Sequence, residues 1–319
     1  MIRGALAAAV TPLLDGGDSV DVDAIPQLVD FYVSAGLDGL LVLGTTGEGV
    51  LLSVQERMRV AAAFIEAANA RLPIVVHCGA QSTHDTAALA QDAAAAGASA
   101  IAVIPPPYYP LDAAGLLRHL ETAADACAPL PFFIYEFAAR SGYSVPVEVV
   151  SELRTRASNL AGLKVSDTPF DRVQPYLLDG LDVFIGAESL IHDGLRRGAA
   201  GAVSGLAAAL PELTIRAVRS GSEEDSRRAG DVRESIQRWP FQAALKQILR
   251  RRGLTLRGSV RPPLRGLDGE ESSQLEQFLD ETARELLASP DQNTALSTTK
   301  SDSANRASRS GSRSNVVQR

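Results

Sequence analysis

One pattern recurs through about the first 220 residues and leaves few folds open to the chain. A helix-like stretch ends at a glycine, a few small residues follow, and then comes a short apolar run. Ala35-Gly36-Leu37-Asp38-Gly39 leads into Leu40-Leu41-Val42-Leu43, and Ala96-Gly97-Ala98-Ser99 leads into Ala100-Ile101-Ala102-Val103-Ile104. Arg197-Gly198-Ala199-Ala200 leads into Gly201-Ala202-Val203-Ser204 in the same way. Each glycine stands where a helix end needs a left-handed residue. Each run is short, apolar without alternation and bounded by turns, as a strand buried on both faces should be. Eight such runs begin near Ala5, Gly39, Ile74, Ala100, Pro131, Leu160, Asp182 and Gly201.

Helical stretches separate the runs. The one over residues 53–70 opens with Ser53-Val54-Gln55-Glu56, a capping box in which serine and glutamate satisfy free amides at the helix start. Eight strands, each followed by a helix, give the (β/α)8 TIM barrel. A doubly wound open sheet is the second choice, and it lacks a dinucleotide fingerprint after the first strand. Residues 1–221 are therefore read as the barrel and 222–289 as a C-terminal helical extension that packs on it or builds an oligomer contact. Residues 290–319 are rich in Ser, Thr, Asn and Arg and are read as a disordered tail.

Composition removes several classes of function. The 319 residues carry a formal net charge of -7, which disfavours nucleic acid as a partner. Two cysteines, Cys78 and Cys127, rule out a disulfide scaffold and fit a reducing, cytoplasmic setting. No apolar run reaches the roughly 18 residues of a membrane span. The apolar stretch after Arg3 could open a signal peptide, but Thr11-Pro12 and Asp15 cut it short, and a buried first strand is the preferred reading. The 31 basic residues include only three lysines, Lys164, Lys246 and Lys300, so a lysine inside an apolar segment stands out.

In a barrel the chemistry collects at the C-terminal ends of the strands and in the loops beyond. After the second strand comes Gly44-Thr45-Thr46-Gly47-Glu48-Gly49, which either cradles an anion with amides and hydroxyls or is merely a tight turn. After the fourth, Pro105-Pro106-Pro107-Tyr108-Tyr109-Pro110 either brings two phenols to the rim or is a stiff packing loop. The fifth ends in Tyr135, a candidate for proton transfer, with Arg140 five residues on as a carboxylate clamp or an ordinary surface arginine.

Lys164 lies in the sixth strand, Leu160-Ala161-Gly162-Leu163-Lys164-Val165. Burial lowers the pKa of an ammonium and makes a competent amine nucleophile towards a carbonyl. The competing reading pairs Lys164 with Glu48, Glu188 or Asp167 as an inert structural cation. The nucleophile is favoured, since the bias towards arginine should have replaced a merely structural lysine. Gly186 and Glu188 after the seventh strand and Val203 and Ser204 in the eighth are weaker substrate-binding candidates. His77, His84, His119 and His192 show no metal-ligand spacing, and His77 is read as a hydrogen-bonded core residue. No metal and no organic cofactor are expected.

These motifs, in this order and spacing from about Gly4 to Leu267, resemble the dihydrodipicolinate synthase/N-acetylneuraminate lyase family of pyruvate-dependent class I aldolases. The resemblance rests on Gly44-Thr45-Thr46-Gly47-Glu48, Tyr108-Tyr109, Tyr135 with Arg140, and Gly162-Leu163-Lys164. It implies that Lys164 forms a Schiff base with pyruvate and that Tyr135 relays protons, with Thr45 and Tyr109 as its partners. In the family the latter tyrosine reaches into a neighbouring subunit's site, so a homo-oligomer, dimer or tetramer, is implied. Thr46, Gly47 and Glu48 would cradle the pyruvate carboxylate, and Arg140 matches the arginine that takes an incoming carboxylate in dihydrodipicolinate synthases.

The first expectation is therefore condensation of pyruvate with aspartate semialdehyde, a step of lysine biosynthesis. The second is an aldolase or dehydratase acting on a 2-keto-3-deoxy sugar acid, or an N-acetylneuraminate lyase-like enzyme. The third, from another class, is a catalytically silent ligand-binding barrel. The chain departs from the family's usual Tyr-Asn-x-Pro, having Tyr135-Glu136-Phe137-Ala138 instead. Gly49, Val50, Val54 and Gln81 stand where lysine-inhibited members carry polar residues, so no lysine feedback is expected.

Overall fold

The computed structural model describes residues 2–287. Eight parallel strands close into a barrel in chain order. They are β1 (Gly4–Ala8), β2 (Gly39–Val42), β3 (Ile74–His77), β4 (Ala100–Val103), β5 (Phe132–Glu136), β6 (Leu160–Val165), β7 (Asp182–Ile185) and β8 (Gly201–Ser204). The ring closes where β1 pairs with β8, Leu6 opposite Val203. Nearly every strand residue is buried, because the barrel interior covers one face and the outer helices the other. The expected strand starts hold at all eight places.

The helices are α1 (Ile25–Ala35), α2 (Val54–Ala68), α3 (Thr83–Ala95), α4 (Ala113–Cys127), α5 (Ala138–Ser141), α6 (Val147–Arg156), α7 (Ile191–Arg196), α8 (Pro211–Ser220), α9 (Glu223–Gln237), α10 (Phe241–Arg251) and α11 (Gly269–Leu287). The Ser53–Glu56 capping box at the start of α2 forms as the sequence predicts. Gly36 ends α1 at φ 80°, a conformation that costs other residues steric strain. One connection departs from the repeat. Between β6 and β7 two single 3-10 turns, Phe170–Arg172 and Gln174–Tyr176, replace a helix. Pro169 and Pro175 account for this, since proline inside a helix removes an amide and clashes with the preceding turn.

The barrel interior is filled, not open. Leu6, Leu41, Val75, Phe133 and Phe184 meet there beside Ala8, Ala100 and Ala102, so large and small side chains interlock. The rings of Phe133 and Phe184 meet edge to face at 5.9 Å. This plug means that a cleft forms at an end of the barrel and not along its axis.

One compact unit runs as far as Leu267, and a second begins at Asp268. Residues 222–267 thus lie in the same unit as the barrel, so no break between units falls at residue 221. The tail, 290–319, lies outside the described residues. No helix among the described residues is long and apolar enough to cross a membrane.

Candidate active site

Strands β5 and β6 place Tyr135 directly opposite Lys164 in the sheet register. Both side chains enter a cleft of 640 Å³ at the C-terminal end of the barrel. The Lys164 ammonium nitrogen stands 3.9 Å from the centre of the Tyr135 ring. The Tyr135 hydroxyl and Thr45 Oγ1 are hydrogen-bonded at 3.1 Å. Burial pushes the Tyr135 pKa up, but the charge of Lys164 and hydrogen bonds with Thr45, Lys164 and Ser166 outweigh it and hold the phenol below its usual value.

Lys164 is 7% exposed and has no carboxylate within ion-pair distance among the described residues. The three acids considered as partners are engaged elsewhere. Glu48 pairs with Lys246, Asp167 accepts the Ala138 amide at 3.0 Å, and Glu188 accepts from the Ser204 hydroxyl at 2.6 Å and the Leu206 amide at 3.1 Å.

The glycine-rich loop is held in a strained shape that brings the threonines to the cleft. Leu43, just before it, has φ 63°. The loop folds back so closely that a Cβ on Gly49 would lie 1.8 Å from the Leu43 carbonyl oxygen. Among the described residues, no protein acceptor takes the amides of Thr45 and Thr46. Both threonines line the cleft, and Gln242 of α10 props the loop by donating to the Thr45 carbonyl at 3.2 Å.

Glu48, expected at the substrate, is turned away from the cleft. Its Oε1 lies 2.7 Å from Lys246 Nζ, with both side chains fully buried. Lys246 also donates to the Ser259 carbonyl at 2.7 Å, and the Arg261 amide donates to Glu48 Oε2 at 2.6 Å. Burial lowers the Lys246 pKa, and Glu48 opposes that shift. This ion pair pins the glycine-rich loop to α10. It also corrects the inference drawn from arginine bias, because Lys246 is a structural cation that has stayed lysine. A compact ammonium with three donors fits this closed site, where the five donors of a guanidinium would go unsatisfied. What sets Lys164 apart is that no acid among the described residues pairs with it.

Of the other sequence candidates, Arg140, Gly186, Glu188 and Val203 line the cleft. Ser204 sits behind it, fully engaged with Glu188, the Ala207 amide and Thr214. Gly47 is buried beneath the loop, where an added Cβ would meet the Ala9 carbonyl oxygen at 2.9 Å. Tyr109 is not in the cleft of its own chain. It is 72% exposed, with its ring 4.9 Å from that of Tyr108, itself 76% exposed. His77 is the core residue expected. Its Nδ1 meets the Leu43 carbonyl at 3.1 Å, and burial, with Arg57 nearby, lowers its pKa to about 3.

Sequence reasoning missed Ser166, Phe137, Arg233, Phe241 and Gln242, all of which line the cleft. It also left Glu136 unexplained. Glu136 is 1% exposed and accepts the Val145 amide at 2.9 Å. Burial, with Asp167 beside it, raises its pKa to about 8. Glu136 and Asp167 therefore fasten the two ends of the segment that carries Arg140, one at Val145 and the other at Ala138.

A barrel with a lysine lacking an acid partner against a tyrosine–threonine pair defines a class of enzyme that works through an amine on a carbonyl substrate. The particular family follows from comparison. The model of the dihydrodipicolinate synthetase family matches residues 1–282, and the chain belongs to that family. Its members are class I pyruvate-dependent lyases, and this chain is one of them.

Among similar proteins, an uncharacterised DapA-like lyase of Halobacterium salinarum is 34% identical over 86% of this chain and 92% of its own. The 4-hydroxy-tetrahydrodipicolinate synthase of Salinibacter ruber is 32% identical over 72% of this chain and 77% of its own. Among solved structures, the YagE prophage protein of E. coli K12 in complex with pyruvate superposes with a TM-score of 0.81 at 26% identity. The N-acetylneuraminate lyase of Proteus mirabilis superposes with a TM-score of 0.80 at 27% identity. Each covers 88% of this chain and 98% of its own.

Two outcomes follow from the buried charges. Lys246→Met leaves Glu48 buried without its cation and costs about 3–5 kcal/mol of stability; urea unfolding that shows a loss under 1 kcal/mol contradicts the account. Glu136 keeps in the folded chain a proton that it releases on unfolding. Its contribution is therefore fully present at low pH and is lost as pH rises from the ordinary carboxylate range to about 8. Glu136→Gln should raise the melting temperature at pH 8 and do so progressively less towards pH 5. Melting curves of the two proteins that run parallel across this window contradict the assignment.

Proposed function

We propose that Lys164 forms a Schiff base with pyruvate and that the enzyme joins the resulting enamine to aspartate semialdehyde, the reaction of 4-hydroxy-tetrahydrodipicolinate synthase. The observation that carries this reading is Lys164, without an acid partner, packed against Tyr135 and its Thr45 hydrogen bond. The amine adds to the ketone carbon, and the carbinolamine loses water to give a protonated imine. Tyr135, with Thr45, gives and takes the protons of these steps. The cationic imine draws electrons from the pyruvate methyl, which loses a proton to become an enamine. The enamine carbon then forms a carbon–carbon bond with the aldehyde, and hydrolysis frees Lys164.

The free amides of Thr45 and Thr46 and the Thr46 hydroxyl suit the pyruvate carboxylate. Arg140, at the mouth, suits the carboxylate of the acceptor. Tyr109 is assigned to the cleft of a second copy of the chain. Its exposure, together with that of Tyr108, supports an oligomer in which this pair is covered.

A second reading, cleavage or dehydration of a 2-keto-3-deoxy sugar acid, draws on the likeness to the N-acetylneuraminate lyase and on Glu136-Phe137 in place of the family's usual Asn-x. Steady-state assays with pyruvate and each of aspartate semialdehyde and D-glyceraldehyde separate the two. Consumption of aspartate semialdehyde with the higher kcat/KM, and a loss of 10²–10⁴-fold in kcat in Tyr135→Phe, are expected. Turnover of glyceraldehyde alone overturns the first assignment.

A further inference from the structure

Residues 137–145 form a strap along the cleft, and a carboxyl group fastens each of its ends. Phe137, Ala139 and Arg140 line the cleft, and the Phe137 ring stacks on that of Tyr135 at 6.2 Å. Between its ends the strap bonds largely to itself. The Arg140 and Ser141 amides donate to the Phe137 carbonyl, and the Gly142 amide donates to that of Ala138. Ala139, Arg140, Gly142 and Ser144 are exposed. Few contacts therefore hold the strap to the barrel. The Ala138 amide donates to Asp167 Oδ2 at 3.0 Å and the Val145 amide to Glu136 Oε2 at 2.9 Å. The Tyr143 hydroxyl donates to the Pro106 carbonyl at 3.1 Å and the Tyr176 hydroxyl to the Val145 carbonyl at 2.7 Å.

The two fastening groups are buried, Glu136 at 1% and Asp167 at 5% exposure, and are hydrogen-bonded to each other. A carboxylate only accepts, so this contact needs a proton on one of the two. Burial first, and then Asp167, hold that proton on Glu136 and raise its pKa to about 8, against the Val145 amide and the Ser144 hydroxyl. The other titratable groups around the pair are phenols and an acid. Tyr143 senses the Glu136 charge, and Tyr176 senses Glu136, Asp167 and Glu148 of α6. Of the cations on the adjoining elements, Lys164 shares the other face of the sheet with Tyr135, and Arg140 lies over the Phe137 ring. Arg154 and Arg156 of α6 are engaged with the Asp179 carbonyl and with Glu152, and Arg172 is exposed. Loss of the Glu136 proton therefore sets two negative charges in contact in a buried place.

We propose that Glu136 and Asp167 form a proton-bridged latch that holds the 137–145 strap against the cleft, and that loss of the bridging proton in alkali frees the strap and weakens the hold on the aldehyde. Glu136 is a positioning residue, since it acts through the strap and not on the substrate. An amide at this place would make both contacts at every pH, whereas a glutamate makes them depend on a proton. The latch stands on the geometry of the strap, and only its effect on turnover rests on the Schiff-base reading.

Hydrogen–deuterium exchange at pH 6 and pH 9, corrected for intrinsic rates, tests the latch without turnover. Labelling times are kept short enough that α4 takes up no deuterium, so that only local opening is read. Protection of the 137–145 amides should fall at least tenfold in the wild type, because the closed strap keeps a proton that the open one releases. It should fall less than threefold in Glu136→Gln, where the amide donates to Asp167 and accepts from Val145, and in Asp167→Asn, which removes the like charge. With pyruvate saturating, the KM for aspartate semialdehyde, or for D-glyceraldehyde if that is the substrate, should rise at least fivefold over the same interval in the wild type. In Glu136→Gln it should rise less than twofold. Strap protection that is equal at the two pH values in the wild type, or that falls equally in the variants, overturns the proposal, as does a KM rise that Glu136→Gln shares. Failure to trap pyruvate on Lys164 of the wild type with borohydride marks a failure of the Schiff-base reading instead, and the exchange result then decides the latch.

Discussion

Closure of the eight-stranded ring is the constraint on which the rest depends. A closed parallel barrel has no edge, so each backbone amide within the sheet finds a neighbour, and the register between adjacent strands is fixed all the way round. That register sets Tyr135 beside Lys164, the contact on which the proposed chemistry turns. The same closure fills the interior with Phe133, Phe184, Leu6 and their neighbours, so the cleft that holds Lys164 and Tyr135 lies beyond that plug, at the C-terminal end.

Loops at that end must be shaped without the help of a sheet, and here the chain uses buried charge. The Glu48–Lys246 pair ties the glycine-rich loop to α10. Glu136 and Asp167 tie both ends of the Arg140 segment to the sheet. Buried ionisable groups are expensive to desolvate and earn little net stability, but they impose one geometry because any other leaves them unpaired. Both devices stand behind the residues that face the cleft, and among the described residues Lys164 and Arg140 have no acid partner.

The strands were legible because each carries a local signal, a glycine at a helix end followed by a run buried on both faces. The missing helix between β6 and β7 was marked by Pro169 and Pro175, a signal that the expectation of a helix after every strand did not take up. In the site, Lys164, Tyr135, Thr45 and Thr46 were readable from their places at strand ends. Glu48 and Ser204 were misplaced, since sequence position says which loop a residue occupies but not which way its side chain turns. Arg233 and Phe241 lie more than 60 residues beyond Lys164, Arg233 on a helix whose polar sequence resembles any solvated face, and only folding brings them to the cleft. Lys246 carried a usable signal, a scarce lysine within an apolar helix face, but its partner was 198 positions away.

The central claim is that Lys164 bonds covalently to a keto acid. Incubation with pyruvate, reduction with borohydride and peptide mass spectrometry test it directly, with Lys164→Ala as the control. The account predicts one reduced pyruvyl adduct on Lys164 that is missing from the variant. A folded wild-type protein with no adduct, or an adduct that persists in the variant, contradicts it.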